Sequence, residues 1–247
     1  SERRRMLDIN GQLAELTTRF SQNVLADANA FELLLVSEAE LAGLPDFVRS
    51  AAQIEAESRG KPGGYLFTLS RSSITPFLQY SQRRDLRERI YRAYTRCGQD
   101  SVDNHALIRQ IIALRSERAQ LLGFATHAEY MLDNRMAATP ANVMALLEQV
   151  WEPCSARVNE EARDLQAMID ASGESFPLQA WDWFFYSEKL REQRFNLDDT
   201  ELMPYFQLER VLDGAFAVAR KLYGISFHPR SDVPLYHEDV RAFEARE

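Results

Sequence analysis

The 247-residue sequence has few of the features that mark several large classes of protein. It contains two cysteines, Cys97 and Cys154, which lack C-x-x-C spacing and provide no disulfide framework. The low cysteine content favours a reducing compartment, so we expect a cytoplasmic protein, with the periplasm as the alternative. No run of about 18 apolar residues is present, and the first residues lack a signal-peptide pattern. The sequence therefore predicts no membrane partner.

The sequence also has fewer basic than acidic residues. Lys and Arg total 29 against 37 Asp and Glu, which gives a formal net charge of -8. Long-range attraction to a phosphate backbone is not expected from such a chain, so nucleic acid is not a predicted partner. What the sequence does have is 45% hydrophobic and 27% charged residues, a composition typical of a globular protein with a buried core.

Most of the chain has the apolar periodicity of helices, and the predicted fold class is mainly α. A stripe at intervals of three and four residues indicates a long first helix, formed by Met6, Ile9, Leu13, Leu16, Phe20 and Val24. Thr139 and Pro140 are an N-cap and a first-turn proline, and they predict the start of another long helix. Gly123 and Gly224 are placed as C-terminal stops. We expect roughly eight to ten helices in all.

A few short segments are predicted to be strands, at about residues 31–36, 65–69 and 225–247. The first two could pair as a hairpin-like excursion, and between them Ser37 and Glu40 form a capping box. We therefore divide the chain into a helical lobe at 1–224 and the start of a small sheet at 225–247. Because that sheet has no later strand in this sequence to pair with, the pattern favours a piece of a longer protein.

The stretch YHEDVR, residues 236–241, begins like a zinc-protease motif and then departs from it. An H-E-x-x-H helix needs a second His four residues after the first, and that position holds Arg241. Pro234 precedes the stretch and its surroundings have an extended pattern, so His237 and Glu238 are expected on opposite faces. The sequence therefore predicts no zinc site here.

Other metal or nucleophile sites are not indicated by the residue spacing. His105 is followed by Arg109 at i+4 and His127 by Met131, so neither has a partner ligand on its helix. Both are expected to be surface or capping residues. The two cysteines are expected to be small buried residues. We assign no catalytic residue and no metal ligand to this chain.

The densest local signal is AWDWFFYSEKLR, residues 180–191, with five aromatic residues in six positions. Such a helix must be buried on more than one side. Two interpretations stay open for these side chains: a packing hub between helices, or a wall of a peptide-binding cleft. The candidate residues are Trp181, Trp183, Phe185 and Tyr186.

Several long segments resemble a known family. AWDWFFYSEKLREQRFNLDDTELMPYFQLERVLDGAFAVARKLYGISF and DVPLYHEDVRAFE look like the middle of the thimet-oligopeptidase family of zinc metallopeptidases. The bacterial peptidyl-dipeptidase (dipeptidyl carboxypeptidase) branch is the most similar. LLGFATHAEYMLDNRMAATPANVMALLEQVW and LAELTTRFSQNVL fit the same family. The resemblance covers essentially the whole chain, with one departure: Phe185-Tyr186 stands where members often have two tyrosines.

This resemblance implies a two-lobed helical shell around a deep channel that admits short peptides. It implies hydrolysis of oligopeptides, with release of C-terminal dipeptides in the peptidyl-dipeptidase branch. The family's zinc motif lies C-terminal to the region matched here, so the chain alone is expected to be inactive and to bind no zinc. Its implied partners are an oligopeptide substrate and the missing catalytic half of the same polypeptide. The alternative is a complete helical peptide-binding or scaffold protein that has lost the catalytic half.

Overall fold

The computed structural model describes residues 1–99, 103–195 and 199–247 and is mainly α, as predicted. The α-helices are α1 Glu2–Ala30, α2 Asp46–Ser58, α3 Arg71–Tyr80, α4 Arg84–Thr95, α5 His105–Leu121, α6 His127–Leu132, α7 Pro140–Ala171, α8 Trp183–Phe195, α9 Asp199–Leu202 and α10 Leu208–Tyr223. The 3-10 turns are Glu38–Leu41 and Met203–Tyr205. The strands are β1 Leu33–Leu35, β2 Tyr65–Phe67, β3 Ser226–Arg230 and β4 Ala242–Arg246.

The chain forms two compact units, Ser1–Leu190 and Arg191–Glu247. The boundary that the sequence predicts, at residue 224, stays a prediction about the organisation of the parent protein.

In the first unit, the apolar stripe of α1 packs against α5. Ile9 and Leu13 are buried with Ile111 and Leu114, and this small core confirms the stripe predicted from the sequence. At one end of the contact, the Arg5 guanidinium donates from Nε and Nη2 to the Glu117 carboxylate at 2.6 and 2.7 Å. Apolar burial holds the two helices together, while the ion pair is half-exposed and contributes little.

The predicted hairpin-like excursion is confirmed. Strands β1 and β2 pair antiparallel, with Leu33 opposite Phe67 and Leu35 opposite Tyr65. Between the strands, the Glu40 carboxylate accepts hydrogen bonds from the Ser37 backbone N–H at 3.2 Å and from the Ser37 hydroxyl at 2.9 Å. The inward side chains of this ribbon join the largest core, which α2, α3 and α4 complete.

The long helix α7 begins where the sequence predicts. The Thr139 hydroxyl accepts from the Asn142 backbone N–H at 3.2 Å, and Pro140 occupies the first turn. The C-terminal end of α7 supplies Leu165 and Ile169 to a third core that it shares with α8. This core lies beside the candidate site.

In the second unit, α10 ends at Gly224, whose φ of 73° is left-handed and favours glycine. Strands β3 and β4 pair antiparallel with each other, so the expectation that this sheet has no partner strand within the sequence is wrong. Phe216 of α10 stacks on Phe227 at 4.4 Å between ring centroids and meets the Phe243 ring at 5.1 Å. The packing of these three rings holds α10 against the β3–β4 ribbon.

Candidate functional site

The aromatic segment divides between core and surface. Phe185 and Tyr186 are buried, with ring centroids 5.1 Å apart and planes nearly perpendicular, and Trp181 and Trp183 are half-buried. Phe184 faces outward and is 41% exposed. Phe185 and Tyr186 both pack in the α7–α8 core and line an adjacent cavity. Contact between any of these four candidate residues and a substrate stays a prediction.

Asp182, between the two tryptophans, is the most buried acidic group of this region, with no exposed surface. Its carboxylate accepts hydrogen bonds from Arg87 Nη2 at 2.8 Å and from Arg84 Nη2 at 2.9 Å. The backbone N–H of Gln179 donates to the same carboxylate at 3.1 Å. Two guanidinium groups and a backbone amide therefore compensate the burial of this charge.

Arg87 is as deeply buried as its partner, at 1% exposure. Its Nη1 donates to the Ser81 carbonyl at 2.7 Å and its Nε to the Trp181 carbonyl at 3.3 Å, so every guanidinium nitrogen is bonded. The guanidinium carbon lies 4.2 Å from the Phe185 ring centroid. Burial lowers the pKa of Arg87 and Asp182 opposes that change. Because an arginine pKa begins so far above neutrality, the group stays charged.

Sequence reasoning missed this triad of Arg84, Arg87 and Asp182. Arg84 and Arg87 stand three residues apart on α4 and thus share a face, but 95 residues separate Arg87 from Asp182. The available signal was a lone acidic residue inside an aromatic run, since a buried carboxylate needs a cationic partner. That pattern does not identify which basic residue pairs with Asp182.

Beside the triad is a cavity of about 390 Å³. Its lining includes three cations that lie against aromatic rings: Arg84, Arg87 and Lys189, beside Phe176, Phe185 and Tyr186. Burial raises the pKa of Tyr186, and the charges of Asp182 and Glu174 add to the rise while Arg87 opposes it. Tyr186 is therefore a neutral phenol at physiological pH. The arrangement suits binding of an anion attached to an apolar group.

The YHEDVR stretch forms bends and a turn, with the Val240 backbone N–H donating to the His237 carbonyl at 3.2 Å. The extended conformation expected here is therefore wrong. Arg241, where a second zinc-binding His would stand, donates from Nη2 and Nη1 to the Glu209 carboxylate at 2.6 and 2.8 Å. Its hydrogen bonds hold the pKa of Glu209 below its usual range.

The histidines lie apart from one another along the chain. His105 begins α5 and pairs with Asp103, and the His228 ring nitrogen Nε2 is 3.2 Å from the Ser226 hydroxyl. Burial, followed by the charges of Arg115 and Arg118, lowers the pKa of His127. In the part of the chain that the structure describes, no group of three or more His, Cys, Asp or Glu is arranged to hold a metal ion.

The cysteines differ in environment. Cys154 is exposed, so its expected burial is wrong, because it lies on an outer face of α7. Cys97 is half-buried, and burial followed by the Asp27 charge raises its pKa. An elevated pKa disfavours the reactive thiolate at Cys97.

Across residues 1–99, 103–195 and 199–247, no helix combines the length and apolar character needed to cross a bilayer.

Comparison with known proteins places this helical chain among the peptidases. Residues 77–247 match the model of peptidase family M3, and the chain belongs to that family. The resemblance to this peptidase family seen in the sequence is thereby confirmed.

Several curated proteins are similar over nearly the whole chain. Oligopeptidase A of Haemophilus influenzae is 38% identical over 96% of this chain and 36% of its own length. Dipeptidyl carboxypeptidase of Escherichia coli is 34% identical over 96% of this chain and 35% of its own length. A probable cytosolic oligopeptidase A of Arabidopsis thaliana is 36% identical over 95% of this chain. The chain thus spans about a third of the length of these relatives.

Proposed function

We propose that this chain is a non-catalytic part of a zinc peptidase that hydrolyses short peptides and releases dipeptides from their C-termini. Family M3 membership supports peptide hydrolysis as the activity of the parent protein. Dipeptidyl carboxypeptidases and oligopeptidases A both stand among its relatives, so dipeptide release is the finer part of the proposal. In this proposal the chain forms a helical lobe that contacts the peptide. The parent protein is proposed to work in the cytoplasm.

The non-catalytic role is supported by the backbone conformation at His237 and Glu238. These residues lie at a turn instead of on a helix, and Arg241 stands where a second metal ligand would be needed. The Arg241 guanidinium is bound to Glu209, and a cation there would repel a zinc ion. The residues present do not fit a zinc site, so no catalytic step is assigned to them. We propose that residues 225–247 lead into the catalytic half.

Metal content and activity of the purified chain test this role. After dialysis against zinc and then against buffer, elemental analysis should find far less than one zinc per chain. An internally quenched peptide should stay intact with and without added zinc. One tightly held zinc per chain, with hydrolysis that a chelator abolishes and His237→Ala removes, would contradict the proposal.

The encoding gene separates the proposal from its alternative. A reading frame that continues past Glu247 and encodes H-E-x-x-H with a later Glu supports a peptidase fragment. Mass spectrometry of that longer protein's products should then show peptides shortened by two residues at a time. A stop codon after Glu247 would favour the complete peptide-binding or scaffold protein.

A further inference from the structure

We propose that the cavity beside the Arg84, Arg87 and Asp182 triad binds a peptide carboxylate. Arg84 and Lys189 supply the positive charge, and the rings of Phe176, Phe185 and Tyr186 take the adjoining apolar side chain. The inference rests on the proposed function in one respect, because it takes the ligand to be a peptide.

Arg84 retains hydrogen-bonding capacity towards a ligand. Its Nε and Nη2 donate to Asp182, at 3.1 and 2.9 Å, while within the described residues Nη1 has no acceptor. The side chain is 33% exposed, in contrast to the enclosed Arg87. The guanidinium carbon lies 4.0 Å from the Phe176 ring centroid. Hydrogen bonds to Asp182 along one edge and the Phe176 ring on one face fix the orientation of the Arg84 guanidinium. Its Nη1 is therefore already oriented for a ligand.

Lys189 is the second cation and is not committed to a carboxylate. Its ammonium nitrogen lies 4.8 Å from the Phe185 ring centroid, and among described residues no carboxylate oxygen lies within ion-pair distance. By contrast, Arg92 of α4 is paired with Glu88 at 2.8 Å. A cation held over a ring can turn to an incoming anion at small cost.

The charges of the cavity favour an anion. Arg87 and Asp182 neutralise each other, which leaves Arg84 and Lys189 facing the Glu174 carboxylate on the cavity wall. One positive charge therefore remains beside the aromatic rings of the cavity. The volume of about 390 Å³ is at the lower end of the range for small-ligand sites, which suits one or two residues of a peptide.

Calorimetric titration of the full chain with two probes of the same shape tests the assignment. The probes are N-acetylphenylalanine and its neutral amide, N-acetylphenylalaninamide. The acid should bind about tenfold more tightly than the amide. Lys189→Gln should weaken acid binding about fivefold without changing amide binding, and Lys189→Arg should restore it. Lys221→Gln, which removes a lysine elsewhere in the chain, should leave both affinities unchanged.

Four results would overturn the inference. They are no binding of the acid, equal binding of acid and amide, unchanged acid binding in Lys189→Gln, and inorganic phosphate binding as tightly as the acid, which would mark a general anion site. Melting temperatures of the variants should equal that of the parent chain, since Lys189 is exposed. The zinc and hydrolysis assays measure separate quantities. A chain that is inactive and does not bind the acid therefore contradicts this inference alone, and an active zinc enzyme that binds the acid contradicts only the proposed function.

Discussion

Arg87 and Asp182 are 95 positions apart in the sequence and joined by a hydrogen bond of 2.8 Å between Nη2 and Oδ1, with both side chains buried. The pair ties the start of α4 to the turn before α8. Arg87 also holds the carbonyls of Ser81 and Trp181, so it connects three stretches of backbone. These contacts position the start of α8, whose Phe185 and Tyr186 rings line the cavity.

Asp182→Asn should destabilise the chain by about 3–5 kcal/mol, because the neutral amide leaves the buried Arg87 charge without compensation. Urea unfolding followed by circular dichroism gives the free energy of unfolding. Asp85→Asn is the matched control, since Asp85 forms an exposed ion pair with Arg83 and should change stability by less than about 1 kcal/mol. Equal effects of the two substitutions would show that the buried pair has no special role.

Phe185→Ala should lower the free energy of unfolding by about 3–5 kcal/mol, since a buried ring is replaced by a void. The neighbouring Phe184→Ala should change it by about 0.5 kcal/mol, because that ring is 41% exposed. Thermal and urea unfolding of both variants measure the difference. If Phe185→Ala instead kept the parent melting temperature and altered only peptide affinity, Phe185 would be a cleft residue without a packing role.

Gly43→Ala should be more destabilising than Gly60→Ala by about 1–3 kcal/mol, the usual range for overpacking. Both glycines have left-handed φ values, 83° and 70°, so alanine is strained at either position. Only at Gly43 would the new Cβ collide with the Tyr80 carbonyl oxygen and lie 3.2 Å from the Gln82 backbone nitrogen. That nitrogen donates to the Ala42 carbonyl, so the backbone cannot retreat without losing a bond. Similar melting temperatures for the two variants would contradict this account.

Glu40→Gln should remove a pH-dependent part of the stability. The Ser37 hydroxyl, followed by the backbone N–H groups of Val36 and Ser37, lowers the pKa of Glu40 in the folded chain. A lowered folded pKa means that the ionised carboxylate stabilises above the unfolded value, about 4.3, and that this contribution is lost as pH falls through the folded pKa.

The melting temperature of the parent chain should therefore exceed that of Glu40→Gln at pH 7, and the two should converge as the pH falls below about 4. Glu15→Gln, at an exposed position on α1, controls for the loss of one carboxylate. A difference between parent and Glu40→Gln that stays constant from pH 7 to pH 3 would contradict the charge-dependent cap.

Features that depend on neighbours in the sequence could be predicted. The cap at Thr139, the stop at Gly224 and the Ser37–Glu40 box all use groups within four residues of each other, so the local sequence specifies them. The α1 stripe follows equally from periodicity. The turn at 237–240 was predicted as extended, because the local pattern does not report the pairing of β3 with β4 across it.

The sequence by itself determined the mainly helical fold, several helix ends and membership of a peptidase family, because periodicity, capping chemistry and long similar segments are all local properties of the chain. Only the tertiary structure decided which side chains meet. Asp182 could have been solvated or paired with any of many basic residues, and packing α4 against the turn before α8 brought Arg84 and Arg87 to it. The same packing placed Arg84 and Lys189 around one aromatic cavity, since side chains distant in sequence become neighbours only when apolar surfaces are buried together.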